Sequence, residues 1–109
     1  MEKYNLKDMK FGWFVGQFSP SVFKTETCEV GYKQYKKGEK DSKKYYHKKA
    51  TEITLIVSGK IKLNETIYRK DDIVVISPNE AVSFECLTNV NTIVIKLPGT
   101  LNDKFYEEL

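Results

Sequence analysis

The sequence predicts an all-β protein, a single sandwich or small barrel. Three observations carry this reading. The chain has 109 residues, enough for one hydrophobic core and not two, so residues 1–109 are taken as one domain. Its β-branched and aromatic residues gather in short runs separated by Gly, Asn, Asp or Pro. No window holds a helical apolar stripe longer than about two turns.

The elements follow in order. Residues 11–18, FGWFVGQF, are aromatic and punctuated by Gly, and define an N-terminal strand within residues 1–20. Residues 27–36 carry Val30, Tyr32 and Tyr35. Residues 53–57, 60–63, 73–76, 81–87 and 92–97 complete the set. Seven or eight short strands in a chain of this size mean a sandwich or a barrel. The runs 53–57 and 73–76 are almost unbroken hydrophobe, whereas a strand with one wet face alternates. Either both faces are covered within the domain or a partner covers one. A homodimer is therefore expected, with the aromatic strand around Trp13 and Phe14 as candidate contact.

Composition narrows the function classes. Apolar residues make up 40% and charged residues 30%, which excludes collagen, a disulfide scaffold and a disordered polymer. The apolar runs are too short for a membrane helix. The first twenty residues mix Lys, Asp and Gly with aromatics, unlike a secretory leader. A cytoplasmic protein is expected, with Cys28 and Cys86 as reduced thiols. The net charge of +3 is unevenly spread: eight lysines within residues 33–49, Lys44 among them, face only Glu39 and Asp41. Such an excess attracts anions. No base-reading motif accompanies it, which argues against nucleic acid.

Residues 38–59 read GEKDSKKYYHKKATEITLIVSG. Gly38, the Tyr45/His47 pair, Glu52 and Gly59 stand at the spacing of the first signature of the cupin superfamily, which this stretch resembles. A second stretch, residues 72–87, is similar to that superfamily's second signature. There Asp72 replaces a Gly, Pro78 matches, Glu80 replaces a Gly, and Ser83 stands where the last metal-binding His is usual. The tail VIKLPGTLNDKFY resembles that of small single-domain cupins of bacteria and phages. The resemblance implies a cupin-type jelly-roll barrel, a double-stranded β-helix.

It also implies a site. Metal-binding cupins hold their ion with His, His, Glu and His, but this chain has one histidine. A set of His47, Glu52 and Tyr45 could still hold a divalent ion, yet a neutral phenol is a poor ligand and the nearby lysines oppose a cation. No cofactor and no native metal are expected. What remains is a barrel mouth lined by Tyr45, His47, Glu52 and Ser83. Lys44 stands at its rim, Tyr32 and Gln34 share one strand face, and Trp13 offers a stacking surface. This suits a small anionic metabolite: a sugar phosphate, a nucleotide or a carboxylate. The alternative is an isomerase or epimerase of sugar nucleotides, with His47 as base, Glu52 orienting it, and Tyr45 or Tyr46 as acid. A metal-dependent oxygenase or lyase and a purely structural dimerisation module are the remaining readings.

Overall fold

A computed structural model describes residues 1–107. Its elements are a short 3-10 turn, Leu6–Asp8, followed by ten strands. These are β1 (Trp13–Val15), β2 (Glu29–Tyr35), β3 (Tyr45–His47), β4 (Thr51–Ser58), β5 (Lys60–Leu63), β6 (Thr66–Arg69), β7 (Ile73–Ile76), β8 (Phe84–Cys86), β9 (Val90–Leu97) and β10 (Lys104–Tyr106). Five form one antiparallel sheet in the order β1-β2-β9-β4-β7. The opposing wall joins β10-β3 to β6-β5-β8 through a bridge between Tyr45 and Val82. Two walls of five strands closed around one interior make the jelly roll that the sequence predicts.

The core between the walls is small. Tyr45, Ile56, Ile61, Leu63, Ile76 and Val82 pack together, flanked by Tyr68, Val74 and Phe84. Short connections carry the chain from wall to wall. Gly59 alone links β4 to β5 with φ +89°, and a Cβ there would lie 2.1 Å from the Asn89 carbonyl oxygen. Only glycine fits. Cys28 is half-buried and Cys86 buried, and both are free.

Strand register assigns each residue of the large sheet to a face. Inward rows run Glu29–Lys96–Glu52 and Gly31–Val94–Thr54, with Lys33 beside Thr92. Outward rows run Val30–Ile95–Ile53–Val75 and Tyr32–Ile93–Leu55–Ile73. The unbroken hydrophobicity of residues 53–57 and 73–76 thus has two destinations. Thr54, Ile56 and Ile76 are buried, while Ile73 and Val75 on the sheet's edge strand are 66% and 59% exposed.

Candidate functional site

The barrel encloses a cavity of about 650 Å³ with both apolar and charged walls. Ile61, Leu63, Phe84 and Val94 supply the apolar part. The large sheet contributes Glu29, Lys33, Tyr35, Glu52, Thr54, Thr92 and Lys96, and the opposing wall contributes Tyr45 and His47. Lys10, Phe11, Trp13, Phe18 and Ser19 come from the N-terminal segment, Asp41 from the stretch before β3, and residues 100–104 complete the lining.

At one side lies a buried chain of three groups. Tyr45 and His47 sit two apart on β3, so both point inward, their rings 5.8 Å apart edge to face. Glu52 comes from the large sheet across the interior. The phenol of Tyr45 donates to Glu52 Oε2 at 3.0 Å. His47 Nδ1 lies 3.1 Å from the Asp103 carbonyl oxygen, and Nε2 lies 3.3 Å from Glu52 Oε1. A carbonyl only accepts, so Nδ1 carries a hydrogen. Nε2 and Glu52 Oε1 face one another across this buried contact. Burial, followed by the charge and hydrogen bond of Glu52, pushes the Tyr45 phenol far above its ordinary value, so it stays protonated. Tyr35 is pushed up for the same reasons, burial first and Glu52 second.

The second feature is a cationic collar. The Trp13 ring has Lys33 Nζ 5.3 Å and Lys96 Nζ 5.2 Å from its centre. Gly31 makes room for the indole, since a Cβ there would meet Trp13 Cε3 at 2.8 Å. Lys104 Nζ lies 4.6 Å from the centre of the Tyr45 ring. Lys96 pairs with Glu29 at 3.3 Å. Lys33 donates to the Phe11 carbonyl and, like Lys104, has no carboxylate partner among the described residues. Burial lowers the Lys33 ammonium from its usual value, and Lys104 and Lys96 lower it further. Phe11 is 84% exposed at the edge of this collar and held at φ +52°, a left-handed conformation that a bulky residue rarely adopts.

Asp103 locks the floor. Its carboxylate accepts the amides of Lys48, Lys49 and Ala50 at 2.9–3.2 Å, fixing the turn between β3 and β4. Its own carbonyl holds His47. Burial works to raise this carboxyl, but the three amides and His47 outweigh it and hold it below its ordinary value.

Of the expected site residues, the structure brings Trp13, Tyr45, His47 and Glu52 to the cavity. Four others are corrected. Tyr32 and Gln34 lie on the outward face of β2, because Glu29, Gly31, Lys33 and Tyr35 take the inward one. Ser83 is outside the cavity lining and bonds Asn64, while Phe84 faces inward in its place. Lys44 is exposed and outside the lining, as are the other lysines of residues 36–49. Each of the first three misses is a parity error of one residue, which reverses a strand's faces. Tyr46 also points outward, stacked on Phe105 with ring centres 5.8 Å apart. The positive collar comes instead from Lys33, Lys96 and Lys104, whose signal is a lysine on an otherwise inward-facing register. His47 and Glu52 also meet across opposing walls rather than on paired strands, since β3 pairs with β10 and β4 with β9 and β7.

The side chains at the cupin metal position bond one another. Both nitrogens of His47 and both oxygens of Glu52 are engaged with each other, with Tyr45 and with a backbone carbonyl. Tyr45 is held as a neutral phenol. Among the described residues no three His, Cys, Asp or Glu side chains gather as a metal site.

Fold and cavity together define a cupin-type barrel, a double-stranded β-helix. Solved structures bear this out. Pac13, a nucleoside dehydratase of Streptomyces, superimposes with a TM-score of 0.71 at 14% identity, over 100% of this chain and 92% of that one. A Klebsiella pneumoniae protein with a double-stranded β-helix domain gives 0.68 at 17% identity, over 81% and 76%. A Bacteroides fragilis cupin gives 0.58 at 19%, over 72% of each chain. No family model and no curated protein matches the sequence.

Proposed function

We propose that the cavity binds a small anionic metabolite carrying a ring, a nucleotide or a sugar phosphate. The anionic group sits on the collar of Lys33, Lys96 and Lys104, and the ring lies against Trp13. One observation carries this reading: the ammonium groups of Lys33 and Lys96 flank the Trp13 ring and that of Lys104 lies over Tyr45 in the same cavity, and Lys33 and Lys104 have no carboxylate partner among the described residues. The volume of about 650 Å³ suits a ligand of that size. Desolvation of Lys33 is a cost that an incoming anion relieves. Native mass spectrometry of the purified protein, with thermal shifts against uridine monophosphate, glucose 6-phosphate and citrate, tests the proposal. A phosphorylated ring compound raises Tm, and the Lys33→Met/Lys104→Met variant loses the rise. No shift with any anion at millimolar concentration overturns it.

The contact between His47 and Glu52 favours a second reading, acid–base chemistry on the bound compound, in the manner of an isomerase or epimerase. His47 with Glu52 would accept a proton from carbon next to a carbonyl, and Tyr45 would donate one. Tyr46 has no part in this, being outside the cavity lining. The likeness to Pac13, solved with uridine in variants replacing a histidine by glutamine or a tyrosine by phenylalanine, supports this chemistry. Deuterium wash-in from solvent into a nucleotide sugar, followed by NMR, tests it. Wash-in that survives undiminished in His47→Gln contradicts it.

A further inference from the structure

Thr92 carries the one buried side-chain polar atom that no hydrogen bond satisfies among the described residues. The residue is 1% exposed, stands on β9 in the inward row Lys33–Thr92–Ile56, and lines the cavity. Packing does not account for its hydroxyl. Val90 and Val94, two residues to either side on the same face of β9, are buried valines. Valine at 92 would fill the same shape without desolvating an oxygen. Two further hydroxyls flank it. Tyr35 on β2 and Thr54 on β4 are its diagonal neighbours, since Lys33 and Ile56 stand directly opposite Thr92, and both line the cavity. The Tyr35 ring is held edge-on against Phe84, with centres 4.9 Å apart. Across the interior, β5 and β8 present Ile61, Leu63 and Phe84. A guest here meets hydroxyls on one side and hydrocarbon on the other.

We infer that Thr92 Oγ1, with Tyr35 and Thr54 beside it, is a second contact point of the cavity, which takes a neutral oxygen of the ligand's ring, a carbonyl or a hydroxyl. The inference rests on the anion-binding reading of the collar and deepens it by placing the ring's polar edge. A row of uncharged hydroxyls in a buried wall matches a neutral group and leaves the formal charge to the lysines. The register brings the two contact points together. Lys33 lies opposite Thr92, about 5 Å away between Cα atoms. Gly31, on which the Trp13 indole packs, lies two residues from Lys33, about 6.7 Å along the strand. Trp13, expected from the sequence at a dimer contact, turns its ring into the cavity instead. A ring resting on that indole has Thr92 within reach of its edge.

Calorimetry of the full chain with uridine monophosphate, ribose 5-phosphate and inorganic phosphate, a nested series, tests this. Thr92→Val keeps the side chain's shape, so without ligand it resists urea at least as well as wild type. It binds uridine monophosphate about two- to tenfold more weakly and inorganic phosphate as tightly as wild type. Thr92→Ser restores most of the lost affinity. Weakening with uridine monophosphate alone assigns the oxygen to the base, and weakening with ribose 5-phosphate as well assigns it to the sugar. Undiminished binding of every probe by Thr92→Val overturns this inference and leaves the collar's role standing. Equal weakening of all three probes, or a variant less stable than wild type without ligand, overturns it too. A wild type that binds none of the three overturns both readings.

Discussion

Replacing Asp103 by Ala separates the site's scaffold from its chemistry. The carboxylate accepts amides from Lys48, Lys49 and Ala50. Ala50 is 1% exposed, so its amide has no water to turn to, and an unsatisfied buried donor costs about 1–3 kcal/mol. The two lysine amides are part-buried and rehydrate in part, adding roughly 1–2 kcal/mol between them. The total of about 2–5 kcal/mol is a large fraction of a stability on the order of 5–15 kcal/mol. It corresponds to a fall in Tm of about 9–22 °C. Asp103→Asn keeps one acceptor and costs about 1–2 kcal/mol. Urea unfolding at neutral pH measures both. The pH dependence follows from the sign of the shift. The folded carboxyl titrates below the ordinary 3.8, so its contribution is complete above that value and fades as pH falls through the folded one. Wild type and Asp103→Asn therefore converge in strong acid. An Asp103→Ala variant within 1 kcal/mol of wild type, by the same scale, refutes this account of the floor.

Three further outcomes are expected. Gly31→Ala drives a Cβ to 2.8 Å from Trp13 Cε3, so the indole leaves its place, the Trp emission shifts to the red, and stability falls by about 1–3 kcal/mol. Thr92→Val removes a buried hydroxyl that has no hydrogen-bond partner, so the ligand-free protein gains about 1–2 kcal/mol in urea unfolding; a destabilised variant would show the hydroxyl to be satisfied. Because Lys33 titrates below its ordinary 10.5, phosphate binding measured by calorimetry weakens as pH rises before that value is reached, and binding there takes up protons; a flat profile up to 10.5 removes Lys33 from the anion's contacts.

Much of the barrel was legible because β-branched runs and turn residues act locally. The strands β2, β4, β5, β7 and β9 lie within or close to the expected ranges. Two were passed over, β6 (Thr66–Arg69) and β10 (Lys104–Tyr106), since charged and exposed residues dilute their pattern. At the site, the spacing of Tyr45, His47 and Glu52 was enough to unite them. The faces of β2 and β8 were not, because a period of two gives either parity until a buried partner decides. Gly31 decides for β2, as the residue that admits Trp13. The lysine collar escaped notice for a related reason. Density of charge along the chain marked residues 33–49, Lys33 included, whereas Lys96 and Lys104 come from distant strands that only folding brings beside Lys33. Asp103, near the chain's end, had no local motif at all.

The chain contains one tryptophan, and it stands in the collar. Titrating uridine monophosphate while following Trp13 emission is therefore the most direct test of anion binding around that ring. A saturable change is predicted, displaced by inorganic phosphate and lost in Lys33→Met/Lys104→Met. Emission that stays constant to millimolar nucleotide, in protein shown by mass spectrometry to carry no bound molecule, would contradict it.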